Sequence, residues 1–206
     1  MSARVKICGI TRTEDALFAA HNGASAIGLV FYAPSPRYIE PDAAAQIVRA
    51  LPPFVTAVGL FVDATEEEVR AVSARARIQL LQFHGAESPQ FCARFDLPYM
   101  KAVRVRPGVD LLQYALDFDD AQALLLDAYQ EGLHGGTGAT FDWALIPPSL
   151  PLPIVLSGGL DPDNVRDAVR AVEPWAVDVS SGVEARKGIK DPAKVAAFIS
   201  GVRDVD

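Results

Sequence analysis

Short apolar runs alternate with longer stretches in which apolar side chains recur every three or four positions, and the cycle repeats along the chain. Strand-like runs fall at 4–8, 26–31, 55–61, 78–83, 99–105, 123–126, 154–156 and 176–179. Helical periodicity is clear at 13–21, 42–50, 65–75, 163–172 and 192–202. The punctuation agrees. Thr65 followed by Glu68 spells a capping box, Asp161-Pro162 and Asp191-Pro192 set a capping residue before an N1 proline, and Pro41-Asp42 opens the second helix. After the fifth and sixth strands the helical signal is weak: 108–118 is a short candidate, and 141–146 is at best a short helix halted by Pro147-Pro148.

Strands that alternate with helices predict a parallel sheet, because parallel neighbours need a crossover and a helix supplies it. An open doubly wound sheet and a closed barrel both satisfy that pattern. Dividing 206 residues by eight gives about 26 per unit, near the lower limit for a (β/α)8 barrel. An open nucleotide-binding sheet would more often carry a GxGxxG loop after its first strand, whereas here Cys8-Gly9-Ile10-Thr11 follows. The expectation is a compact α/β TIM barrel occupying residues 1–206 as one domain, with weak helices after strands five and six.

Composition narrows the functional classes. With 50% apolar and 22% charged residues and a mean hydropathy of +0.17, the chain buries a core, yet no uninterrupted apolar run is long enough to span a bilayer. Lys6 breaks the N-terminal apolar run, which does not read as a signal peptide, so a cytoplasmic location without membrane attachment is expected. A formal net charge of -7 argues against an extended nucleic-acid surface, although a few backbone N–H groups suffice for one phosphate. Cys8 and Cys92 make no disulfide framework and have no zinc spacing, so no metal site is expected. Cys92, in a helical stretch, reads as structural. Nothing in the chain calls for an obligatory protein partner.

In such a barrel the C-terminal strand ends face the active site. Here they are polar: Lys6 and Cys8 on strand one, Gln82 and His84 on four, Arg104 on five, Asp127 on six, Asp178 and Ser180 on eight. Period-two alternation turns Lys6 and Cys8 to one face, and Asp178 and Ser180 likewise. Closure makes strands one and eight neighbours, so Lys6 and Asp178 are expected to pair, since neither charge is tolerated inside alone. Two Gly-rich loops, Ser157-Gly158-Gly159 and Ser180-Ser181-Gly182, follow the last two strands, where barrels commonly hold phosphate.

Taken in order, these residues carry a resemblance. Val5-Lys6-Ile7-Cys8-Gly9-Ile10-Thr11, Phe31 with Ser35-Pro36-Arg37, Gln82 with His84-Gly85, Asp127, Gly135-Gly136-Thr137-Gly138 with Phe141-Asp142-Trp143, Ser157-Gly158-Gly159-Leu160 and Asp178 to Glu184 resemble the N-(5'-phosphoribosyl)anthranilate isomerase family of tryptophan biosynthesis. The family is a small (β/α)8 barrel that uses neither metal nor organic cofactor. Two departures stand out: Phe83 replaces the family's usual Leu, and 107–121 carries no family signature.

The resemblance implies an Amadori rearrangement of a phosphorylated aminosugar. Cys8 would be the general base at C2' and Asp127 the general acid at the ring oxygen. Arg37 would hold the anthranilate carboxylate, Asp178 and His84 would lie on the substrate, and Ser157, Gly158, Gly159, Ser180, Ser181 and Gly182 would hold its phosphate. An acid and a base sharing one site need opposite environments. Leu124, Leu125 and Leu126 suit a neutral acid, while Lys6 and nearby helix ends suit a thiolate. His84 has a second reading as a residue that orders the fourth loop, and Arg104 reads equally as a ligand contact or a structural ion pair. Two alternatives share the phosphate loops: another phosphosugar isomerase or epimerase, and a non-catalytic phosphosugar-binding subunit.

Overall fold

The computed structural model describes residues 3–128 and 142–205. Eight parallel strands, β1 (Arg4–Ile7), β2 (Ala26–Val30), β3 (Thr56–Phe61), β4 (Leu80–Phe83), β5 (Tyr99–Val105), β6 (Ala123–Ala128), β7 (Ile154–Leu156) and β8 (Ala176–Val179), close into a barrel in sequence order. Strands β1 and β8 seal it over a four-residue register from Arg4↔Ala176 to Ile7↔Val179. The interior is plugged by alternate residues of several strands, among them Val58, Met100, Leu125 and Val155. The intervening positions, such as Ile7, Ile27, Leu81 and Val177, pack outward beneath the helices. That division is the period-two pleat at work.

Helices α1 (Thr13–Asn22), α2 (Pro41–Ala50), α3 (Glu66–Ala76), α4 (Pro89–Cys92), α5 (Leu111–Asp117), α6 (Val165–Val172) and α7 (Pro192–Arg203) surround the barrel. None among the described residues is long and apolar enough to cross a membrane. The capping box forms as expected, Thr65 Oγ1 accepting from the Glu68 N–H while the Glu68 carboxylate takes the Thr65 N–H. Asp191 likewise caps α7 by accepting from the Lys194 N–H. Asp161 does not cap α6. Its carboxylate takes the N–H groups of Asp163 and Asn164, and that turn delays the helix to Val165.

The weak units after strands five and six are abbreviated. Helix α5 has 7 residues, and after β6 the described chain forms only a 3-10 turn, Trp143–Leu145. The Gly135-Gly136-Thr137-Gly138 segment and Phe141 lie outside the described residues. Phe83 explains itself by direction: it is fully buried on the helix side of β4, its ring 5.8 Å from Phe91 and 5.6 Å from Phe95. The departure at this position enlarges an outer aromatic cluster and leaves the barrel mouth untouched. After β8, a short antiparallel hairpin of β9 (Glu184–Arg186) and β10 (Ile189–Lys190) sets Lys190 opposite Glu184.

Candidate active site

A cleft opens at the C-terminal end of the strands. Cys8, Arg37, His84, Asp127 and Asp178 line it, together with the loops at 157–160 and 180–181. The residues assigned to chemistry, substrate or phosphate therefore converge on one mouth except for Gly182, while Arg104 lines a neighbouring cavity with Lys101 and Arg106. Gly182 is packed against the loop after β7 instead, so close that a Cβ would fall 2.0 Å from the Leu160 carbonyl oxygen.

Cys8 continues β1, where its N–H donates to the Val179 carbonyl at 2.8 Å. Its thiol occupies the space left by Gly28 on the next strand, since a Cβ there would stand 2.6 Å from Sγ and 3.1 Å from Lys6 Nζ. Lys6 Nζ donates to Asp178 Oδ1 at 2.8 Å, so the expected pair forms, and Ser157 Oγ donates to the other carboxylate oxygen at 3.4 Å. Burial opposes the charge on Lys6 most, but Asp178 and Cys8 together outweigh it and hold the ammonium above its ordinary value. For Cys8 the balance runs against expectation. Burial pushes the thiol up, and the nearby cations Lys6 and Lys190 do not cancel it, partly because Asp178 adds a like charge. The free site rests with a neutral thiol.

Asp127 sits inside β6 rather than just beyond it, 4% exposed. Of its three leucine neighbours only Leu125 shares its inward face, Leu124 and Leu126 belonging to the outer layer. Asp127 Oδ1 accepts the Ala128 N–H at 2.9 Å, in a backbone turn kept open by Gly158, whose Cβ would meet Oδ1 at 3.0 Å. Oδ2 lies 3.1 Å from His84 Nε2. His84 is placed by its N–H to the Phe61 carbonyl, which extends the β3–β4 ladder, and its Nδ1 is 3.0 Å from Gln82 Nε2. Since that amide nitrogen donates, Nδ1 accepts, and the ring proton resides on Nε2 facing Asp127. Both oxygens of Asp127 thus accept, as suits a carboxylate.

Arg37 reaches the mouth from the loop after β2. Its stem crosses Gly9, which has φ +72° and where a Cβ would be 2.6 Å from Arg37 Cδ. Nε and Nη2 grip the Glu184 carboxylate at 2.7 and 2.9 Å, and Lys190 Nζ donates to Glu184 Oε1 at 3.1 Å. Burial disfavours the charge on Glu184, yet Arg37 and Lys190 outweigh it and hold the carboxyl below its usual range. Burial prevails at Lys190 and lowers its ammonium. Among the described residues nothing accepts from Nη1 of Arg37. Sequence reasoning missed Glu184 and Lys190 as its supports. Their spacing across a tight hairpin was the available signal.

At the opposite rim, Gly158 and Gly159 adopt φ of +84° and +66°, which turns the loop after β7 inward. Among the described residues no group accepts from the N–H groups of Gly158, Gly159 or Ser181, so the two loops present bare donors to the cleft. Also among the described residues, no three His, Cys, Asp or Glu side chains are grouped so as to hold a metal ion.

The family model for N-(5'-phosphoribosyl)anthranilate (PRA) isomerase matches residues 5–201. The N-(5'-phosphoribosyl)anthranilate isomerase of Nitrosospira multiformis is 61% identical over 202 residues, covering 98% of this chain and 97% of that protein. The crystal structure of phosphoribosyl anthranilate isomerase from Thermotoga maritima superposes with a TM-score of 0.90 at 43% identity, covering 98% of each chain. A structure of phosphoribosyl anthranilate isomerase in complex with reduced 1-(o-carboxyphenylamino)-1-deoxyribulose 5-phosphate superposes at 0.87 with 42% identity, again over 98% of each chain. With its closed barrel, its polar strand ends and a match over nearly its whole length, this chain belongs to the N-(5'-phosphoribosyl)anthranilate isomerase family of enzymes.

Proposed function

We propose that this chain converts N-(5'-phosphoribosyl)anthranilate to 1-(2-carboxyphenylamino)-1-deoxyribulose 5-phosphate in tryptophan biosynthesis, with residues 1–206 acting as one catalytic barrel. The observation that carries the reading is that Cys8, just past β1, and Asp127 of β6 face one cleft between two different features suited to anions, Arg37 and the paired glycine loops. A substrate with an aromatic carboxylate at one end and a phosphate at the other suits that spacing. Asp178 and His84 border the ribose between them.

The reaction needs a proton delivered to the ring oxygen and another removed from C2'. Asp127 in its acid form protonates the ring oxygen as the C1'–O bond breaks and the anilino nitrogen lone pair forms the iminium. The iminium acidifies C2'–H, and the Cys8 thiolate takes that proton while the C–H electron pair becomes the enolamine double bond. The enolamine then tautomerises to the ketone, moving a proton from the 2'-oxygen to C1'. The working form therefore has a thiolate and a carboxylic acid, whereas the free site rests as thiol and carboxylate. The two forms hold the same number of protons. Transfer of the thiol proton to Asp127 interconverts them, and the iminium cation next to Sγ favours the thiolate as Lys6 and Lys190 already do.

The test is to generate phosphoribosylanthranilate in situ and follow loss of its fluorescence with purified protein and no added metal. Acceleration over the spontaneous reaction is expected, and its absence ends the reading. Cys8→Ala and Asp127→Asn should each lower kcat by about 10²–10⁴ with little change in KM, since each acts on a proton in the transition state. Losses confined to KM would remove both roles.

A further inference from the structure

We propose that Gln82 is a positioning residue whose carboxamide sets how many protons the His84–Asp127 pair holds, by presenting either its nitrogen or its oxygen to His84 Nδ1. The inference rests on the reading of Asp127 as the acid and concerns how that acid is kept loaded.

Gln82 is fully buried on the inner face of β4, and its Nε2 is 3.0 Å from His84 Nδ1. Among the described residues its Oε1 is buried with no hydrogen-bond partner. A buried amide oxygen left in that state is costly and calls for an explanation. Among the same residues no donor at the far end pins the amide. A half-turn about Cγ–Cδ exchanges Oε1 for Nε2 opposite Nδ1, and the proton on Nδ1 decides which of them faces it.

Each orientation corresponds to one proton inventory. With Nε2 of Gln82 donating to Nδ1, the imidazole is neutral, its single proton lies on Nε2, and Asp127 is a carboxylate accepting from it. With Oε1 turned to Nδ1, that nitrogen carries a proton and donates it to Gln82. A second proton then lies between Nε2 and Asp127 Oδ2, 3.1 Å apart, where Asp127 passes it to the substrate. The first form is the resting site and the second is the loaded acid.

Other charges face this pair from several elements. Within the barrel they are Lys6 of β1 with Cys8 just past it, Asp178 of β8 and Arg104 of β5, the register partner of Asp127. At the rim are Arg37, held by Glu184, with Tyr32, and on the far side of His84 stand Asp63, Arg106 and the Lys101–Glu87 pair. None is altered by substitution at position 82; Gln82→Glu adds a carboxylate charge of its own, so the uncharged Gln82→Met variant is the one that reports the amide alone.

Long-range ¹H–¹⁵N spectra of the His84 ring, recorded from pH 5 to pH 10 without ligand, test the proposal directly. In the wild type at high pH, Nδ1 should be unprotonated and Nε2 protonated, and Nδ1 should gain its proton as the pH falls. Gln82→Glu offers Nδ1 only acceptors, and should raise that midpoint by at least one pH unit, a tenfold change in proton affinity. Gln82→Met has the shape without the acceptor and should lower it. The high-pH limb of kcat, where the acid is lost, should move in the same directions. A purely structural role would lower kcat at every pH without moving either midpoint, and that result overturns the proposal. So does a wild-type ring that carries its proton on Nδ1 at high pH. If Gln82→Met fails to fold, the wild-type ring still decides, since a proton on Nδ1 at high pH overturns the proposal. Because the spectra need no substrate, shifts seen in a chain that does not isomerise would sink the reading of function and leave the proton coupling standing.

Discussion

Arg37 and Glu184, 147 positions apart in the chain, meet fork to fork at 2.7 and 2.9 Å beneath the barrel mouth. The planar guanidinium spends one edge on this carboxylate and is held in a single orientation. In the proposed function this is the residue that meets the substrate carboxylate, and being set in place beforehand would remove part of the ordering cost of binding.

Glu184→Ala leaves Arg37 and Lys190 buried without their carboxylate, and breaking such a buried pair costs ~3–5 kcal/mol. Urea unfolding should show the loss. Arg37→Ala should raise KM for phosphoribosylanthranilate more than it lowers stability, and an unchanged KM would remove the carboxylate clamp.

Because Glu184 has its carboxyl held below the usual range in the folded chain, it is ionised there at pH values where the unfolded chain would already bind a proton. Its contribution is therefore present above the ordinary carboxylate value near ~4.3 and lost as pH falls through the folded one. Melting temperature followed from pH 6 to pH 3 should fall less steeply in Glu184→Gln than in the wild type. Parallel curves would mean that the pair does not govern acid stability.

The Cys8 shift has the opposite sign. Burial raises the thiol, so folding favours its neutral form, and that stabilisation is present below the ordinary thiol value near ~8.5 and lost as pH rises through the folded one. Iodoacetamide at pH 8 should alkylate Cys8 more slowly than a model thiol, and Lys6→Met should slow it further by removing the nearest cation. Cys92, buried and pushed up to about 12, should stay unmodified in the folded protein. Rapid modification of Cys8 would show that its thiolate already predominates at rest.

Gly28→Ala places a methyl group 2.6 Å from Cys8 Sγ and 3.0 Å from its Cα, a backbone atom that cannot swing away. Overpacking of this kind costs ~1–3 kcal/mol, and displacing the thiol by a fraction of an ångström should reduce kcat by about 10²-fold. Thermal melting and the fluorescence assay measure the two effects separately. Full activity in the variant would show that Sγ needs no such space.

Much of this molecule was determined by local sequence. Eight apolar runs with helical periods between them dictate alternating elements, and two-residue alternation turns Lys6, Cys8 and Asp178 inward, because side chains on a strand must point to one face or the other. Even the Lys6–Asp178 pair was legible, since closing the barrel makes the first and last strands neighbours. Other features were decided only in three dimensions. The start of α6 moved because Asp161 spends its carboxylate on a turn rather than a cap. The resting thiol of Cys8 reflects how far burial outweighs nearby cations, a balance of distances that residue order does not encode. Glu184 reaches Arg37, and Gln82 reaches Asp127 through His84, only once strand stagger and loop paths have set atoms within about 3 Å. Sequence decides which face a side chain takes because alternation is a property of each strand alone. Partners across the barrel depend on closure, which belongs to all eight strands together.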